Sequence, residues 1–191
     1  MKCVGVTGLF ASGKTTAAKI LSKQLHGRAF SLSDEVRVEA GKRGLTPTVE
    51  NLRMLANELR ERRGPGVWAE RVISRAERCG REWVVVESVR SPAEVMVLKK
   101  FFGNGFFLVA VGAPAQVRFN RFRRTPRGKE FSSLVAFKAA EEKQLRGGGR
   151  SQAILGAMGL AGFRVVNSGS RKDLERKVRR LALALKRAAA A

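Results

Sequence analysis

The stretch GLFASGKT, residues Gly8–Thr15, lies between a short apolar run and a segment with helical periodicity. It satisfies the pattern G-x-x-x-x-G-K-[ST]. In this pattern the glycines let backbone N–H groups curl around phosphate oxygens, and the following helix directs its positive end at the same anion. Lys14 is expected to reach the β- and γ-phosphates of ATP, and Thr15 to offer its hydroxyl to Mg²⁺. The nucleotide-binding residues predicted here are Gly8, Ala11, Ser12, Gly13, Lys14, Thr15 and Thr16.

Strand-like and helix-like segments alternate along the rest of the chain. Strands are predicted at KCVGVT, RAFSL, EWVVVES, GFFLVAVGA and GFRVVN, and segments of helical periodicity separate them. This alternation predicts an α/β fold with a five-stranded, mainly parallel sheet and helices on both faces. Together with the G-x-x-x-x-G-K-[ST] motif, it predicts the three-layer sandwich of P-loop NTPases. At 191 residues the chain fits a single domain, residues 1–191.

The sequence predicts N-cap residues for two of the helices. Thr46 is predicted to be the N-cap of the helix in TPTVENLRMLANELRERRG, with Pro47 at its first position. Ser170 and Asp173 have the S-x-x-D spacing of a capping box before the closing helix. Asp173 therefore has a structural explanation, whereas Asp34, the other aspartate, has none so simple. The stretch GGGR, residues 147–150, is expected to be a flexible joint.

The net charge is +22, and it is unevenly distributed. Residues 1–95 carry 17 basic and 11 acidic side chains, whereas residues 96–191 carry 21 and 5. Such a field attracts polyanions such as nucleotides, nucleic acid or an anionic surface, although a solvated arginine-rich exterior explains it equally well. The apolar stripe of the closing helix favours packing on the sheet over contact with a membrane or RNA.

The composition argues against several other kinds of protein and of catalytic site. No apolar run approaches the ~20 residues of a membrane helix, so no membrane partner is expected. Cys3 and Cys79 lack metal-ligand spacing and fit free thiols in a reducing cytoplasm. His26, the single histidine, lies near the predicted end of the first helix, which argues against Ser-His-Asp and His/Cys zinc sites. We expect the protein to be cytoplasmic and to be a monomer or a homodimer.

EWVVVES ends its apolar run on Glu87, where P-loop NTPases place a carboxylate for the metal or its waters. Because glutamate is one methylene longer than aspartate, action through a metal-bound water is expected. Arg90 follows three residues later, where the strand opens toward the ligand side of the sheet. The alternative is that Glu87 merely ends a strand and that Arg90 is a surface or helix-pairing residue.

Four stretches together resemble a known group: GLFASGKTT, SDEVRVEAGKRGLTPTVENL, VESVRSPAEV and VNSGS. Their order and spacing are similar to those of the nucleoside monophosphate kinase and dephospho-CoA kinase superfamily. The chain more closely resembles an uncharacterised archaeal family of nucleotide-kinase-like proteins. The resemblance covers nearly the whole chain. Glu87 and Ser88 depart from it, since they stand where Asp-Gly is usual.

The resemblance implies roles for the residues that match. Asp34 and Arg37 match a pair that lies beside the acceptor phosphate and the metal waters in adenylate-kinase-like enzymes. Arg90 matches an arginine that binds the acceptor's phosphate. Two forked guanidiniums suit a phosphate monoester, because each donates two parallel hydrogen bonds. Residues of about 34–80 would then form the acceptor-binding helical segment. For Asp34, a simple N-cap is the alternative.

RFNRFRRTPRGK, residues 118–129, holds six basic residues and no acid. The resemblance places here, at about 118–132, the arginine-rich lid that such kinases close over the donor phosphates. Its candidate residues are Arg118, Arg121, Arg124 and Arg127. A nucleic-acid patch and a solvated face are the alternatives. The three-residue spacing of Phe119 and Phe122 favours a core position for both rings.

Three functions remain open from the sequence. The first is a Mg²⁺-dependent phosphotransferase that moves the γ-phosphoryl of ATP to a small phosphate-bearing acceptor, such as a nucleoside monophosphate or a dephospho-CoA-like molecule. The second is a nucleic-acid-associated P-loop NTPase or polynucleotide kinase. The third is an ATP-binding protein without catalysis. The first is our prediction, with the catalytic residues Lys14, Asp34, Arg37, Arg90 and Arg124.

Overall fold

A five-stranded parallel sheet runs through the centre of the protein. The structure is a computed structural model, and it describes residues 1–126, 128–145 and 154–190. The strands are β1 (Lys2–Thr7), β2 (Arg28–Ser31), β3 (Trp83–Val89), β4 (Phe106–Gly112) and β5 (Phe163–Val166). Within the described residues, the strands pair in parallel in the order β2-β3-β1-β4-β5. The predicted α/β class and five-stranded sheet are confirmed.

Helices cover both faces of this sheet. In chain order they are α1 (Lys14–Gln24), α2 (Leu32–Lys42), α3 (Val49–Arg63), α4 (Val67–Glu77), α5 (Pro92–Phe102), α6 (Ala115–Phe122), α7 (Leu134–Leu145), α8 (Ile154–Gly159) and α9 (Arg171–Ala188). Side chains alternate between the faces of a strand. Val84 and Val86 thus join one apolar core with α2 to α5 and α8, whereas Val85 joins the other with α1 and α9. The predicted three layers are confirmed.

A smaller aromatic cluster joins α6 and α7 to the loop that precedes α1. Phe119 and Phe122 of α6 pack against Phe137 of α7, and all three are buried. The ring centroids of Phe119 and Phe137 lie 5.6 Å apart, a separation typical of aromatic pairs. The predicted core position of Phe119 and Phe122 is confirmed, so neither ring is available for stacking on a base.

The helix starts agree only partly with the predicted caps. α9 begins with the predicted capping box: Ser170 Oγ accepts the N–H of Asp173, whose carboxylate accepts the N–H of Ser170 at 3.0 Å. The predicted Thr46 cap of α3 is wrong, because its N-cap is Thr48, which accepts the Asn51 N–H. The Thr46 carbonyl accepts the Thr48 N–H, so the chain turns once more before the helix begins.

Two other features complete the comparison with the predicted elements. The short helix α8 has no counterpart among them, and the predicted GGGR joint lies outside the described residues. Among the helices of the described ranges, none combines the length and the apolar character that crossing a membrane requires.

The capping box predicts a measurable contribution to stability. Ser170→Ala removes the hydroxyl that accepts the Asp173 N–H, so we expect the free energy of unfolding to fall by about 1 kcal/mol. Ser168→Ala is the matched control, since Ser168 is an exposed serine in the same turn. Urea unfolding of both variants measures the difference, and equal midpoints would contradict a capping role.

Candidate functional site

The loop Gly8–Thr15 connects β1 to α1 in a conformation that depends on its glycines. Gly8 and Gly13 have positive φ values of 147° and 95°, and Ala11 has 52°. A Cβ on Gly8 would lie 2.3 Å from the Val111 carbonyl oxygen, and a Cβ on Gly13 would lie 2.3 Å from Asn167 Nδ2. Both contacts exclude a side chain. The loop therefore curls tightly ahead of the free N–H groups of α1, as phosphate binding requires.

Asn167 holds this loop from the far end of the chain. It follows β5 directly, is buried, and donates from Nδ2 to the Ser12 carbonyl oxygen at 2.8 Å. Its own backbone N–H bonds to the Gly112 carbonyl at 2.7 Å, which anchors it to the end of β4. The motif VNSGS contained this residue, but no role was predicted for it. The sequence feature that could have indicated this role is the position of Asn167, a polar residue directly after an apolar strand.

Glu87 reaches the loop because β3 is irregular where it ends. The register of β1 and β3 shifts so that Ser88 has no partner on β1, and Ser88 has a positive φ of 65°. This is a β-bulge, a feature that redirects side chains next to sites. Glu87 is buried and accepts hydrogen bonds at Oε2 from Thr15 Oγ1 at 3.2 Å and from Ser88 Oγ at 2.9 Å.

The Thr15–Glu87 pair fits a divalent cation. A hydroxyl and a carboxylate are hard oxygen donors, and Mg²⁺ typically uses one or two such groups together with waters and substrate phosphates. No cluster of three or more His, Cys, Asp or Glu side chains that could hold a metal occurs in the described ranges. A cation here would therefore depend on the phosphates of a bound nucleotide.

Several positively charged side chains lie near the phosphate-binding loop. Burial, together with the positive charges of Arg90, Arg118 and Arg37, lowers the pKa of Lys14 to about 8, although the carboxylate of Glu87 opposes this shift. Burial likewise lowers the pKa of Arg90 to about 10, so this guanidinium remains charged at neutral pH. Lys14 Nζ donates to the Leu9 carbonyl oxygen at 3.2 Å. The loop thus lies in a positive field that an anion would relieve.

The predicted acceptor residues lie on the first turn of α2 and at the end of β3. Asp34 Oδ1 accepts a hydrogen bond from Arg37 Nη1 at 2.5 Å, and both side chains are exposed. Arg90 Nη2 donates to Ser33 Oγ at 3.0 Å, so Arg90 and α2 line one cavity. The N-cap alternative for Asp34 is wrong, because Ser31 is the N-cap and Asp34 lies three residues into the helix. The Asp34 carboxylate has no capping role.

The predicted lid arginines occupy three different environments. Arg118 is buried, donates to the Ala113 carbonyl oxygen at 2.8 Å, and forms an ion pair with Glu141 of α7. Arg121 donates to the carbonyl oxygens of Asn167 at 3.0 Å and Gly169 at 3.1 Å. Arg124 is exposed in the turn after α6, and Arg127 lies outside the described residues. Arg118 thus supports α6, and Arg124 is exposed to solvent.

A cavity of about 620 Å³ lies beside the loop, between α1 and the start of α9. Gly13 and Thr16 form one wall, and Arg121 and Asn167 form another. The flat guanidinium of Arg121 is held in place by its two carbonyl partners, so it offers a planar surface next to the phosphate-binding loop. The cavity is open to a ligand that continues outward from the loop.

Comparisons with known proteins identify relatives of this chain. A family model described as an AAA domain matches residues 4–141. A UPF0200/UPF0201 protein of Archaeoglobus fulgidus is 37% identical over 97% of this chain, which spans 56% of that relative's length. A UPF0200 protein of Aeropyrum pernix is 36% identical over 94% of this chain and 91% of its own. The predicted resemblance to an archaeal family is confirmed.

Solved structures share the fold at low sequence identity. A shikimate kinase from Bacteroides thetaiotaomicron aligns with a TM-score of 0.59 at 18% identity, over 97% of this chain and 98% of that one. A gluconokinase from Sinorhizobium meliloti 1021 aligns with a TM-score of 0.57 at 18% identity, over 98% and 93%. The protein has a P-loop kinase fold, which confirms the predicted architecture.

The lowered pKa of Lys14 predicts a pH dependence of nucleotide binding. Lys14 is cationic below about pH 8 and loses its charge as the pH rises through that value. We expect affinity for a fluorescent ATP analogue to fall as pH rises beyond about 8, measured between about pH 6 and about pH 10. Bound phosphates stabilise the charged form of Lys14, so they raise the pH at which the affinity falls. Lys14→Met, the control, is expected to bind weakly at every pH. A flat wild-type profile would exclude this role.

Proposed function

Since this chain belongs to the UPF0200 family and to the AAA-domain family whose model it matches, we propose that it is an ATP-dependent phosphotransferase acting on a small anionic acceptor. The observation that carries the proposal is the convergence of Lys14, Glu87 and Arg90 around one loop. Lys14 lies on the loop, Glu87 bonds to Thr15 at 3.2 Å, and the charge of Arg90 lowers the pKa of Lys14. Phosphoryl transfer needs such positioning and charge more than covalent chemistry.

The donor site combines the loop with the neighbouring cavity. The N–H groups of Gly8–Thr15 and the Lys14 ammonium bind the phosphates of ATP. The base and ribose extend into the cavity of about 620 Å³ lined by Thr16, Arg121 and Asn167. Thr15 and Glu87 would hold Mg²⁺, which supplies positive charge to the β- and γ-phosphates when bound. Asn167 positions the loop through the Ser12 carbonyl and does not itself touch the phosphates.

The acceptor site lies across the loop from the donor. Arg37 and Arg90 hold the anionic group of the acceptor, because paired guanidiniums donate parallel hydrogen bonds to such groups. Asp34 orients the attacking hydroxyl and accepts its proton. Arg124, exposed after α6, stabilises the charge that develops on the transferred group. The residues that carry the chemistry are therefore Lys14, Asp34, Arg37, Arg90 and Arg124.

The Asp34 carboxylate provides the sharpest test of this function. Asp34→Asn keeps the size of the side chain and removes only its charge and basicity, so we expect ATP binding to persist. Transfer to acceptor should fall by about 100-fold. Stability should change by no more than about 1 kcal/mol, because the exposed pair with Arg37 contributes little. The measurement is radiolabelled phosphate transfer from ATP across a panel of nucleoside monophosphates, dephospho-CoA, hydroxy acids and RNA ends.

Lys14→Ala is the comparison variant, and it should lose both nucleotide binding and turnover while the fold survives. Wild-type turnover in Lys14→Ala would contradict the proposed donor site. ATP binding by the wild-type protein without transfer to any acceptor would instead favour an ATP-binding protein without catalysis.

A second candidate function, a nucleic-acid-associated NTPase, is favoured by the outer face of α9. Eight basic residues of this helix are exposed. They are Arg171, Lys172, Arg176, Lys177, Arg179, Arg180, Lys186 and Arg187. Asp173 and Glu175 are the acidic residues of the same helix. The apolar side of α9, with Leu174 and Val178, packs on the sheet as predicted. The basic face is therefore directed at solvent, where a polyanion can reach it.

Salt dependence tests this candidate. If α9 binds single-stranded RNA, log K should fall with log salt concentration by about 0.7 for each phosphate contact. Lys172→Ala with Arg180→Ala should reduce that slope. Arg62→Ala with Arg63→Ala, which removes two exposed charges from α3, is the matched control. Absence of RNA binding in filter assays at low salt would eliminate the candidate.

A further inference from the structure

The cavity on the acceptor side of the loop is small and strongly basic. It lies between the loop and helices α2, α3 and α4. Its charged lining consists of four arginines, Arg37, Arg53, Arg60 and Arg90. The remaining lining is mainly apolar, with Leu52 and Trp68 among it.

Neutral hydrogen-bonding side chains on this lining are few, and those present are engaged. Ser33 Oγ accepts from Arg90, and Ser88 Oγ donates to Glu87. Trp68 is buried and commits its indole N–H to the Ala56 carbonyl oxygen at 3.2 Å, so its ring alone faces the cavity. The described residues of the lining include no Asn, Gln, Asp or Glu. The arginines could donate to the acceptors of a nucleobase, but the lining offers few side-chain acceptors for the base's own N–H groups, and leaving these groups unpaired is costly.

Two of the arginines can exchange their partners for a ligand at little cost. Arg37 pairs with Asp34 and Arg53 pairs with Glu50, in each case three residues away on one helix and partly exposed to solvent. Exposed pairs of this kind typically contribute at most about 1 kcal/mol. A carboxylate or phosphate that enters the cavity can therefore replace Asp34 or Glu50 without disrupting the fold.

Arg60 lies deeper and has an unused donor. It is 2% exposed, and its Nη2 donates to Glu94 Oε1 at 2.8 Å. Glu94 also accepts the backbone N–H of Arg90 at 2.7 Å, which ties the two arginines to one carboxylate. The Nε hydrogen of Arg60 has no partner. A buried donor without an acceptor is unfavourable, and an oxygen atom of an occupant would satisfy it.

We propose that the acceptor is a compact hydroxy acid with an apolar body, and not a nucleotide. This deepens the proposed function and rests on it. The acid group lies among Arg37, Arg53 and Arg90, and the apolar body lies against Leu52 and the ring of Trp68. The acceptor's hydroxyl oxygen bonds to the γ-phosphorus of ATP as the bond to the β–γ bridging oxygen breaks. The electron pair of that bond leaves on ADP, and the hydroxyl proton passes to Asp34.

Matched probes separate the features of this acceptor. 4-Hydroxycyclohexanecarboxylate carries the apolar ring, the hydroxyl and a carboxylate, and 3-hydroxybutyrate is its acyclic counterpart. The monophosphate of 1,4-cyclohexanediol replaces the carboxylate with a phosphate, so it distinguishes the two kinds of acid. Free 1,4-cyclohexanediol lacks any anion and is the negative control. AMP, CMP, GMP, UMP and dephospho-CoA represent the nucleotides.

Trp68 reports binding independently of catalysis. It lines the acceptor cavity, whereas Trp83, the other tryptophan of the chain, belongs to the core on the opposite face of the sheet. Titration of the wild-type protein with each probe, without ATP, should change tryptophan fluorescence saturably for the hydroxy acids alone. ADP release with ATP present then measures transfer to the same probes.

Two variants of α3 test the location. Arg53→Gln removes a cation from the cavity lining, and we expect hydroxy-acid affinity to fall about tenfold. Arg62→Gln removes a cation from the same helix outside the cavity, and affinity should stay unchanged. Equal effects of the two variants would overturn the assignment of the acid to this cavity.

The two readouts distinguish failure of the acceptor class from failure of the function. Saturable fluorescence and ADP release with a hydroxy acid, but not with nucleotides, supports both. Saturation and transfer with a nucleotide overturns the acceptor class and leaves the phosphotransferase intact. Hydroxy-acid binding without ADP release overturns the phosphotransferase and supports the class of ligand. Binding of none of the probes overturns the acceptor class.

Discussion

The candidate site depends on a single constraint, the burial of a parallel sheet on both of its faces. All seven residues of β3 are buried, and helices cover both sides of β1. Polar side chains therefore have little place within the central strands and collect near their carboxyl ends. The glycine-rich loop after β1, Ser31 at the end of β2, Glu87 near the end of β3 and Asn167 after β5 all lie there. The chemistry is assembled from distant parts of the chain because the sheet aligns their ends.

The buried arginines and the lysine of the phosphate-binding loop have different charged neighbours. Arg118 and Arg60 are both buried, and each pairs with a buried carboxylate, Glu141 and Glu94 respectively, which offsets the cost of burying the charge. Around the loop, by contrast, Lys14 meets several cations and the single carboxylate of Glu87. Its folded pKa of about 8 lies below the ordinary 10.5. The protonated lysine thus destabilises the protein fully below about pH 8, and this contribution is relieved progressively as the pH rises from about 8 to the ordinary value of 10.5. A bound polyanion relieves the same repulsion without loss of the charge.

Local patterns allowed part of this arrangement to be predicted. The loop motif, the alternation of strands and helices and the Ser170–Asp173 box all depend on residues close in sequence. The position of the α3 cap was wrong because Thr46 and Thr48 flank Pro47 symmetrically, and only the turn of the chain chooses between them. The roles of Asn167 and Arg118 were missed for a different reason. Asn167 bonds to a carbonyl 155 residues earlier, and Arg118 pairs with a glutamate of another helix. Such contacts leave no local periodicity.

The phosphate-binding loop also separates the two cavities, and this gives its Phe10 a particular position. Phe10 lines the acceptor cavity, and its ring packs 6.2 Å from that of Phe137 and 6.3 Å from that of Phe122. Gly13, three residues later, lines the larger cavity beyond the loop. The same short loop is thus a wall for both ligands and an anchor for α6 and α7. A ligand that displaces Phe10 must move the aromatic cluster or the loop amides. Because packed aromatic cores resist deformation, Phe10 ties this wall of the acceptor cavity to the aromatic cluster of α6 and α7.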